Sequence, residues 1–234
     1  MSITGALINA GAILFGGLIG LLLKGRIKKD SSKSLMRILG LCTCIIGISG
    51  ALSGYQHIIA LVISLALGTF VGELLRIDDG LNKFGLWVQG KFTRGDQESS
   101  TFARGFVEAT LLFCVGALAI LGPLNSGLRN DYDIIITKSI IDAVATMVLA
   151  SYLGIGVLLS AFSVLLYQGS IELFAGFFQN IFTSELITLI SATGGIMVLG
   201  IGFNMVMDSN SKIKIANFLP GFLFSATYYF LFLR

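Results

Sequence analysis

Two oppositely charged residues stand one helical turn apart inside an apolar stretch, and their spacing could support chemistry within a membrane. Lys138 and Asp142 lie in the segment Ile134–Leu153, where a helix would place Asp142 about 12 Å from its start, near the bilayer midplane. Residues four apart share a helix face, so the two charges can neutralise each other. An acid at that depth usually faces a cavity or a partner. The pair is predicted to belong to a solute or ion pathway, with a structural latch as the alternative.

Other polar residues inside apolar segments are further candidates for such a pathway. Acids there are costly and therefore suggest function, whereas amides often join neighbouring helices by hydrogen bonds. Each amide therefore has two interpretations, a pathway residue or a contact between helices. The remaining candidates are Glu108, Glu172, Gln168, Asn9, Asn204 and Asn217.

Two predicted helix breaks support the pathway interpretation. Pro123 follows Gly122 at the end of one apolar segment, and Pro220 with Gly221 interrupts the last one. Proline removes a backbone hydrogen bond, and groups released within a membrane need a protein partner or a water-lined cavity. Such breaks often frame transporter sites. A proline kink without any role in binding is the alternative.

The residue types exclude several other kinds of chemistry. Cys42 and Cys44 lie in one apolar segment and Cys114 in another, and His57 is the only histidine, so no metal site and no cofactor are expected. No phosphate-binding G-x-x-x-x-G-K-[ST] loop is present, which argues against ATP-driven transport by this chain alone. The net charge of +3 comes without a basic patch interleaved with aromatic residues, so nucleic acid is not an expected partner.

Long apolar segments must position these residues. Hydrophobic residues make up 55% of the chain and charged residues only 12%, about half the charged fraction of soluble domains. We predict an all-α, polytopic membrane helix bundle, a single domain over residues 1–234, with about eight spans; seven result if the last is re-entrant. The predicted spans are Ile3–Leu23, Leu35–Leu52, Ile58–Leu75, Phe102–Leu121, Ile134–Leu153, Ile155–Phe174, Glu185–Met205 and Ile215–Leu233. The fifth and sixth could form one bent hairpin.

The basic residues predict the orientation, because short loops rich in Lys and Arg stay in the cytoplasm. With the N-terminus outside, thirteen of the 16 Lys and Arg residues fall on the inner side and three on the outer. Residues at about 76–101 then form a cytoplasmic loop, with an interfacial helix predicted over Asp79–Phe92 from apolar residues at helical spacing. A loop with scattered apolar residues is the alternative.

Short similarities within the chain predict an inverted repeat of spans 1–3 and 6–8. Ile46-Gly47-Ile48 in the second span is similar to Leu199-Gly200-Ile201 in the seventh. An odd offset of five spans gives the two copies opposite orientations, as in many secondary transporters. Chance similarity between apolar helices is the alternative.

Gly16-x-x-x-Gly20 and Gly68-x-x-x-Gly72 predict close helix packing, within one chain or between two copies in a homo-oligomer.

The order of motifs along the whole chain resembles one bacterial family. These motifs are Asn9-Ala10-Gly11-Ala12, Gly16-Gly17-Leu18-Ile19-Gly20, Gly40-Leu41, Ile46-Gly47-Ile48, Gly72-Glu73, Phe113-Cys114-Val115-Gly116, Lys138-Ser139 with Asp142, Tyr167-Gln168-Gly169 and Asn217-Phe218-Leu219-Pro220. By these motifs, the chain resembles the YdfK/YqgA-type inner-membrane proteins, domain-of-unknown-function family 554. The resemblance implies a multi-pass protein of the bacterial inner membrane, and it implies no substrate and no catalytic residue.

The function expected from these features is transport of a small solute or ion, as a secondary transporter or channel. Acids within spans, broken helices and the predicted repeat favour it. The alternatives are a membrane enzyme acting on lipid and a non-transporting partner or sensor. An enzyme would need histidine, serine or several acids gathered at one interface, and the pattern does not predict such a group. The expected partners are the lipid bilayer and the unknown solute.

Overall fold

The structure, a computed structural model, describes residues 2–24, 29–81, 83, 99–207 and 212–233. Every regular element in those residues is helical, which confirms the predicted fold class. The helices are α1 (Thr4–Leu23), α2 (Lys29–Ser53), α3 (Ile58–Leu74), α4 (Ser99–Cys114), α5 (Leu118–Arg129), α6 (Asp133–Leu153), α7 (Ser160–Leu173), α8 (Ala175–Phe178), α9 (Ser184–Val206) and α10 (Gly221–Phe232). Short 3-10 segments cover Tyr55–His57, Gly154–Leu159 and Ile215–Phe218.

The apolar helices are long enough to cross a bilayer. Within the described residues, six helices qualify by length and composition, and a seventh results if the bent pair of α4 and α5 is one span. The predicted count of eight is therefore not confirmed. The difference arises because Asp133–Leu173 qualifies as one stretch of 41 residues, although the sequence predicted two spans there.

That stretch of 41 residues folds back on itself. The Nδ2 atom of Asn9 lies 3.0 Å from Asp142 Oδ2 and 2.9 Å from Gln168 Oε1. In a straight helix, a separation of 26 residues would hold Asp142 and Gln168 about 39 Å apart. The chain therefore reverses between α6 and α7, at the 3-10 segment that begins with Gly154. This residue has a φ of +82°, which glycine adopts without strain. The α-helix of the second arm begins at Ser160, later than the predicted Ile155.

The fourth predicted span is broken at a different place from the one expected. It was predicted as continuous over Phe102–Leu121, ending at Pro123, but α4 ends at Cys114 and α5 follows after a bend of 60°. Gly116 in the break has a φ of +106°, a conformation that favours glycine and stops the helix there. Pro123 lies inside α5, so the prediction that it ends the span is wrong. A proline one turn into a helix removes only one ladder hydrogen bond.

The chain forms two compact units. The first contains α1, α4 to α8 and the start of α2. The second contains the rest of α2 from Gly40, together with α3, α9, α10 and the break segment Val115–Ala117. All of the polar residues predicted for the pathway, except Asn204 and Asn217, belong to the first unit.

Glycines set the closest helix contacts of the first unit. A Cβ on Gly16 would lie 2.2 Å from the Ala143 carbonyl oxygen, and one on Gly20 would lie 2.3 Å from the Met147 carbonyl oxygen. Both distances are far below any real Cβ contact, so α1 can approach α6 this closely only with glycine at these positions. The Gly16-x-x-x-Gly20 motif therefore packs within one chain.

The second glycine motif makes equivalent contacts in the second unit. A Cβ on Gly68 would lie 2.3 Å from the Gly221 nitrogen, and one on Gly72 would lie 1.9 Å from the Asn217 carbonyl oxygen. As α3 runs forward from Gly68 to Gly72, its partner positions run backward from Gly221 to Asn217. The two segments are therefore antiparallel, and this motif too is used within one chain.

The helices α2 and α9 also pair in an antiparallel manner within the second unit. A Cβ on Gly40 would lie 2.8 Å from the Met205 Cβ, and one on Gly54 would lie 2.6 Å from the Ala192 Cβ. The contacts of α1 with α7 in the first unit run in opposite directions as well, since Asn9 meets Gln168 while the start of α1 meets the end of α7. The three pairs join helices that the predicted repeat treats as equivalent.

The predicted interfacial helix is described only at its start. Residues 77–81 are helical, and the Asp78 backbone N–H donates a hydrogen bond to Asn217 Oδ1 at 2.9 Å. An exposed ion pair joins Asp79 Oδ1 to Lys214 Nζ at 3.7 Å. Beyond residue 81 only Lys83 of the predicted helix is described, and the stretch that includes Phe84 and Phe92 lies outside the described residues.

Candidate functional site

Three helices of the first unit bring four polar side chains together in a cluster that we call the polar site. Asn9 comes from α1, Lys138 and Asp142 from α6, and Gln168 from α7. Asn9 and Gln168 are 0% exposed, and Lys138 and Asp142 are each 5% exposed. The polar site is thus enclosed by the helices of the first unit.

The ion pair predicted from the sequence is formed. Lys138 Nζ donates a short hydrogen bond to Asp142 Oδ2, and the same oxygen accepts one from Asn9 Nδ2 at 3.0 Å. Lys138 Nζ also lies 5.9 Å from the centre of the Phe113 ring, near the end of α4. The negative face of an aromatic ring stabilises a nearby cation. The two charges therefore neutralise each other in a low-dielectric environment, where their attraction is stronger than in water.

The two amides connect α1 to α7 and fix their own orientations. Asn9 Nδ2 donates hydrogen bonds to Asp142 Oδ2 and to Gln168 Oε1, the latter at 2.9 Å. Turning either amide over would place like atoms against each other and break these bonds. Two buried atoms then have no hydrogen-bond partner among the described residues, namely Asn9 Oδ1, an acceptor, and Gln168 Nε2, a donor. Buried polar groups are nearly always paired, so these two atoms leave one acceptor and one donor of the polar site unsatisfied.

Glu172 lies one helical turn beyond Gln168 and has a different task. Its Oε1 accepts a hydrogen bond from the Gly5 N–H at 3.0 Å, and its Oε2 accepts one from the Ala6 N–H at 2.8 Å. The Ser126 hydroxyl donates a further, short bond to Oε1. The first N–H groups of a helix lack partners within it, and a carboxylate there also suits the helix dipole. These contacts give Glu172 a structural role at the start of α1.

Glu108, a candidate for the pathway, forms an ion pair with Arg104. Arg104 Nε lies 2.7 Å from Glu108 Oε1, one helical turn apart on α4. The side chain of Arg104 is 22% exposed, so this pair is less enclosed than the polar site.

The two remaining candidate amides hold backbone segments of the second unit. Asn204 Nδ2 donates to the Ile213 carbonyl oxygen at 2.8 Å, and its Oδ1 accepts from the Ile213 N–H at 2.9 Å. Asn217 accepts from the Asp78 N–H, as described above. These bonds support the interpretation of both as structural contacts.

Pro220 and Gly221 mark the interruption predicted in the last span, since the 3-10 segment ends before them and α10 begins at Gly221.

Several features of the polar site could not be seen in the sequence. The pairing of Asn9 with Gln168 and the capping of α1 by Glu172 connect residues more than 150 positions apart. The contact of the Phe113 ring with Lys138 depends on where α4 ends, which the sequence did not predict. The described residues hold no group of three or more His, Cys, Asp and Glu side chains arranged for a metal ion.

The fold and the polar site define a multi-pass helical membrane protein with buried charge. A family model described as "Protein of unknown function (DUF554)" matches residues 4–230. The chain belongs to this family, as its motifs predicted. It is 32% identical over 222 residues to "Uncharacterized membrane protein YdfK" of Bacillus subtilis (strain 168), covering 94% of this chain and 92% of that protein. It is 29% identical over 223 residues to "Uncharacterized protein YqgA" of Escherichia coli (strain K12), covering 94% of each. No solved structure matches the chain.

Proposed function

We propose that this chain is a secondary transporter or channel for a small solute or ion in the bacterial inner membrane, with the polar site in its pathway. The observation that carries the proposal is the enclosure of an ion pair and two incompletely bonded amides between α1, α6 and α7. Burying such a group in a membrane bundle costs free energy, and a buried ion pair is weak evidence for a gain in stability. A role in a transport pathway would explain why the group is buried there.

Two further features support the proposal. The bend between α4 and α5 gives the first unit a broken helix whose last turn, at Phe113, adjoins the polar site. Broken helices often frame the sites of secondary transporters. The antiparallel pairing of α1 with α7, α2 with α9 and α3 with α10 also fits an inverted repeat, which is common in that class of protein.

The proposed mechanism makes Asp142 the responding group and Lys138 its resting partner. An occupant or proton that weakens their bond leaves Lys138 with only the Phe113 ring and gives the site a second electrostatic state. An occupant that binds one of these two states more tightly than the other would drive a conformational change. Asp142→Asn should then abolish coupled flux in a folded protein, because the residue can no longer change charge.

Orientation belongs to the same proposal. With the N-terminus outside, α1 and α6 run inward and α7 runs outward. This agrees with their contacts, in which α1 is parallel to α6 and antiparallel to α7. If the bent pair of α4 and α5 counts as one span and the two arms of the α6–α7 hairpin count as two, the proposed number of crossings is eight. The distribution of basic residues supports this orientation.

The test is flux through vesicles reconstituted with purified protein, compared with empty vesicles. An internal pH dye and osmotic shrinkage report protons, ions and neutral solutes in parallel. We expect the wild type to accelerate at least one of these fluxes and Asp142→Asn to remove the acceleration. Undiminished flux with Asp142→Asn would make the ion pair a structural latch. No flux above empty vesicles would contradict transport and favour a membrane enzyme or a non-transporting partner.

A further inference from the structure

We infer that the occupant of the polar site is a small uncharged solute that offers both a hydrogen-bond donor and an acceptor, such as a simple amide or alcohol, and not an ion. The inference rests on the proposed function and specifies its substrate class. Asn9 Oδ1 would accept from the solute, and Gln168 Nε2 would donate to it.

Each buried charge that the structure describes in the first unit already has a partner before any solute arrives. Among the buried side chains that the structure describes there, four are charged. Lys138 and Asp142 neutralise each other, Glu108 is paired with Arg104, and Glu172 is held by the start of α1. A bare ion entering the polar site would therefore lose its hydration beside an ion pair that is already neutral, and the Glu172 carboxylate is already held by two N–H groups.

The atoms left without partners also disfavour either sign of charge. A cation could bind Asn9 Oδ1, but Gln168 Nε2 and Lys138 Nζ would face it with positive polarity. An anion could bind Gln168 Nε2, but Asn9 Oδ1 would face it with a lone pair. A neutral molecule with one donor and one acceptor satisfies both amides at once, and both are 0% exposed without it.

Water is the smallest molecule of this chemistry, so the experiment must separate it from larger solutes. Vesicles containing the wild type are mixed rapidly with impermeant sucrose to measure water flow, and with formamide, urea or glycerol to measure solute entry. Sodium, chloride and protons are measured in the same preparation. We expect at least one neutral solute to enter at least about tenfold faster than in empty vesicles, without matching ion flux.

Variants at the amides connect that flux to the site. Gln168→Met removes the donor Nε2 together with the oxygen that accepts from Asn9, and Gln168→Leu, a shorter apolar side chain, provides a second variant if the first does not fold. Each should lower neutral-solute flux at least about fivefold, the value of one hydrogen bond. Ser191→Ala is the matched control, since its hydroxyl is also buried without a partner among the described residues but lies in the second unit. It should leave the flux unchanged.

The outcomes separate this inference from the function on which it rests. Ion flux that depends on Asp142 without solute flux would overturn the inference and leave the transport proposal standing. Flow of water alone would overturn it too, by making water the occupant. Solute flux unchanged in both Gln168 variants would remove the site from the pathway. No flux of any kind would overturn both proposals.

Discussion

The destabilisation caused by removing Lys138 and that caused by removing Asp142 should not add when both charges are removed together. Lys138→Met leaves a buried carboxylate with Asn9 as its remaining donor, and Asp142→Asn leaves a buried ammonium beside the Phe113 ring. In Lys138→Met/Asp142→Asn, neither charge remains. The asparagine at position 142 can still accept the Asn9 hydrogen bond.

The size of this effect follows from the burial. Removing one partner of a buried ion pair costs about 3 to 5 kcal/mol. We expect about 3 kcal/mol for Lys138→Met. We expect about 2 kcal/mol for Asp142→Asn, because the aromatic ring offsets part of the loss of its partner. The double variant should lose about 2 kcal/mol, which leaves a coupling energy of about 3 kcal/mol between the sites. That is a factor of about 150 in the unfolding equilibrium.

The assay is a double-mutant cycle on reversible unfolding in mixed micelles of mild detergent and dodecyl sulfate. The control is the same cycle on Arg104→Met and Glu108→Gln, a pair with the same spacing but with Arg104 partly exposed. That coupling should stay below about 1 kcal/mol. Additivity at Lys138 and Asp142, with a coupling below about 0.5 kcal/mol, would show that the two charges do not stabilise each other.

Three further predictions test the fold around the polar site. Gly16→Ala should destabilise the protein by about 1 to 3 kcal/mol because its Cβ would meet a carbonyl of α6, whereas Gly11→Ala, with no atom within 4 Å, should be neutral or stabilising in the same unfolding assay. Glu172→Gln should cost about 1 to 2 kcal/mol through weaker capping of α1, and an unchanged stability would argue against that role. A cysteine at His57 should react with an impermeant thiol reagent from outside intact cells and one at Lys29 should not, in a cysteine-free background; the reverse labelling would invert the proposed orientation.

The ion pair was predictable from the sequence because it depends only on local geometry. Any helix places Lys138 and Asp142 on one face, and a low-dielectric surrounding strengthens the attraction between their charges. The glycine motifs were predictable as packing faces for the same reason. Which helix packs against Gly16 was not, because that choice depends on the whole arrangement of the first unit.

The helix break and the capping of α1 show where local rules are insufficient. Gly122 and Pro123 form a strong local signal for a helix end, yet α4 ends at Cys114, nine residues before Pro123, beside the positive φ of Gly116. Glycine is common throughout this chain, so nothing local distinguishes Gly116 from the others. Glu172 was similarly predicted as a pathway residue from its type, whereas two of its three partners are backbone groups at the far end of the sequence.

The pairing of equivalent helices explains why the polar site lies where it does. In the second unit, glycines bring α2 against α9 and α3 against α10 so closely that backbone atoms meet, as between Gly47 and the Leu199 nitrogen. Such contacts leave no space for a solute between those helices. In the first unit, α1 and α7 meet instead through polar side chains, at Asn9 with Gln168 and at Glu172 with the start of α1. Side-chain contacts hold helices farther apart than backbone contacts, so polar side chains can fill the space between α1 and α7 beside the ion pair.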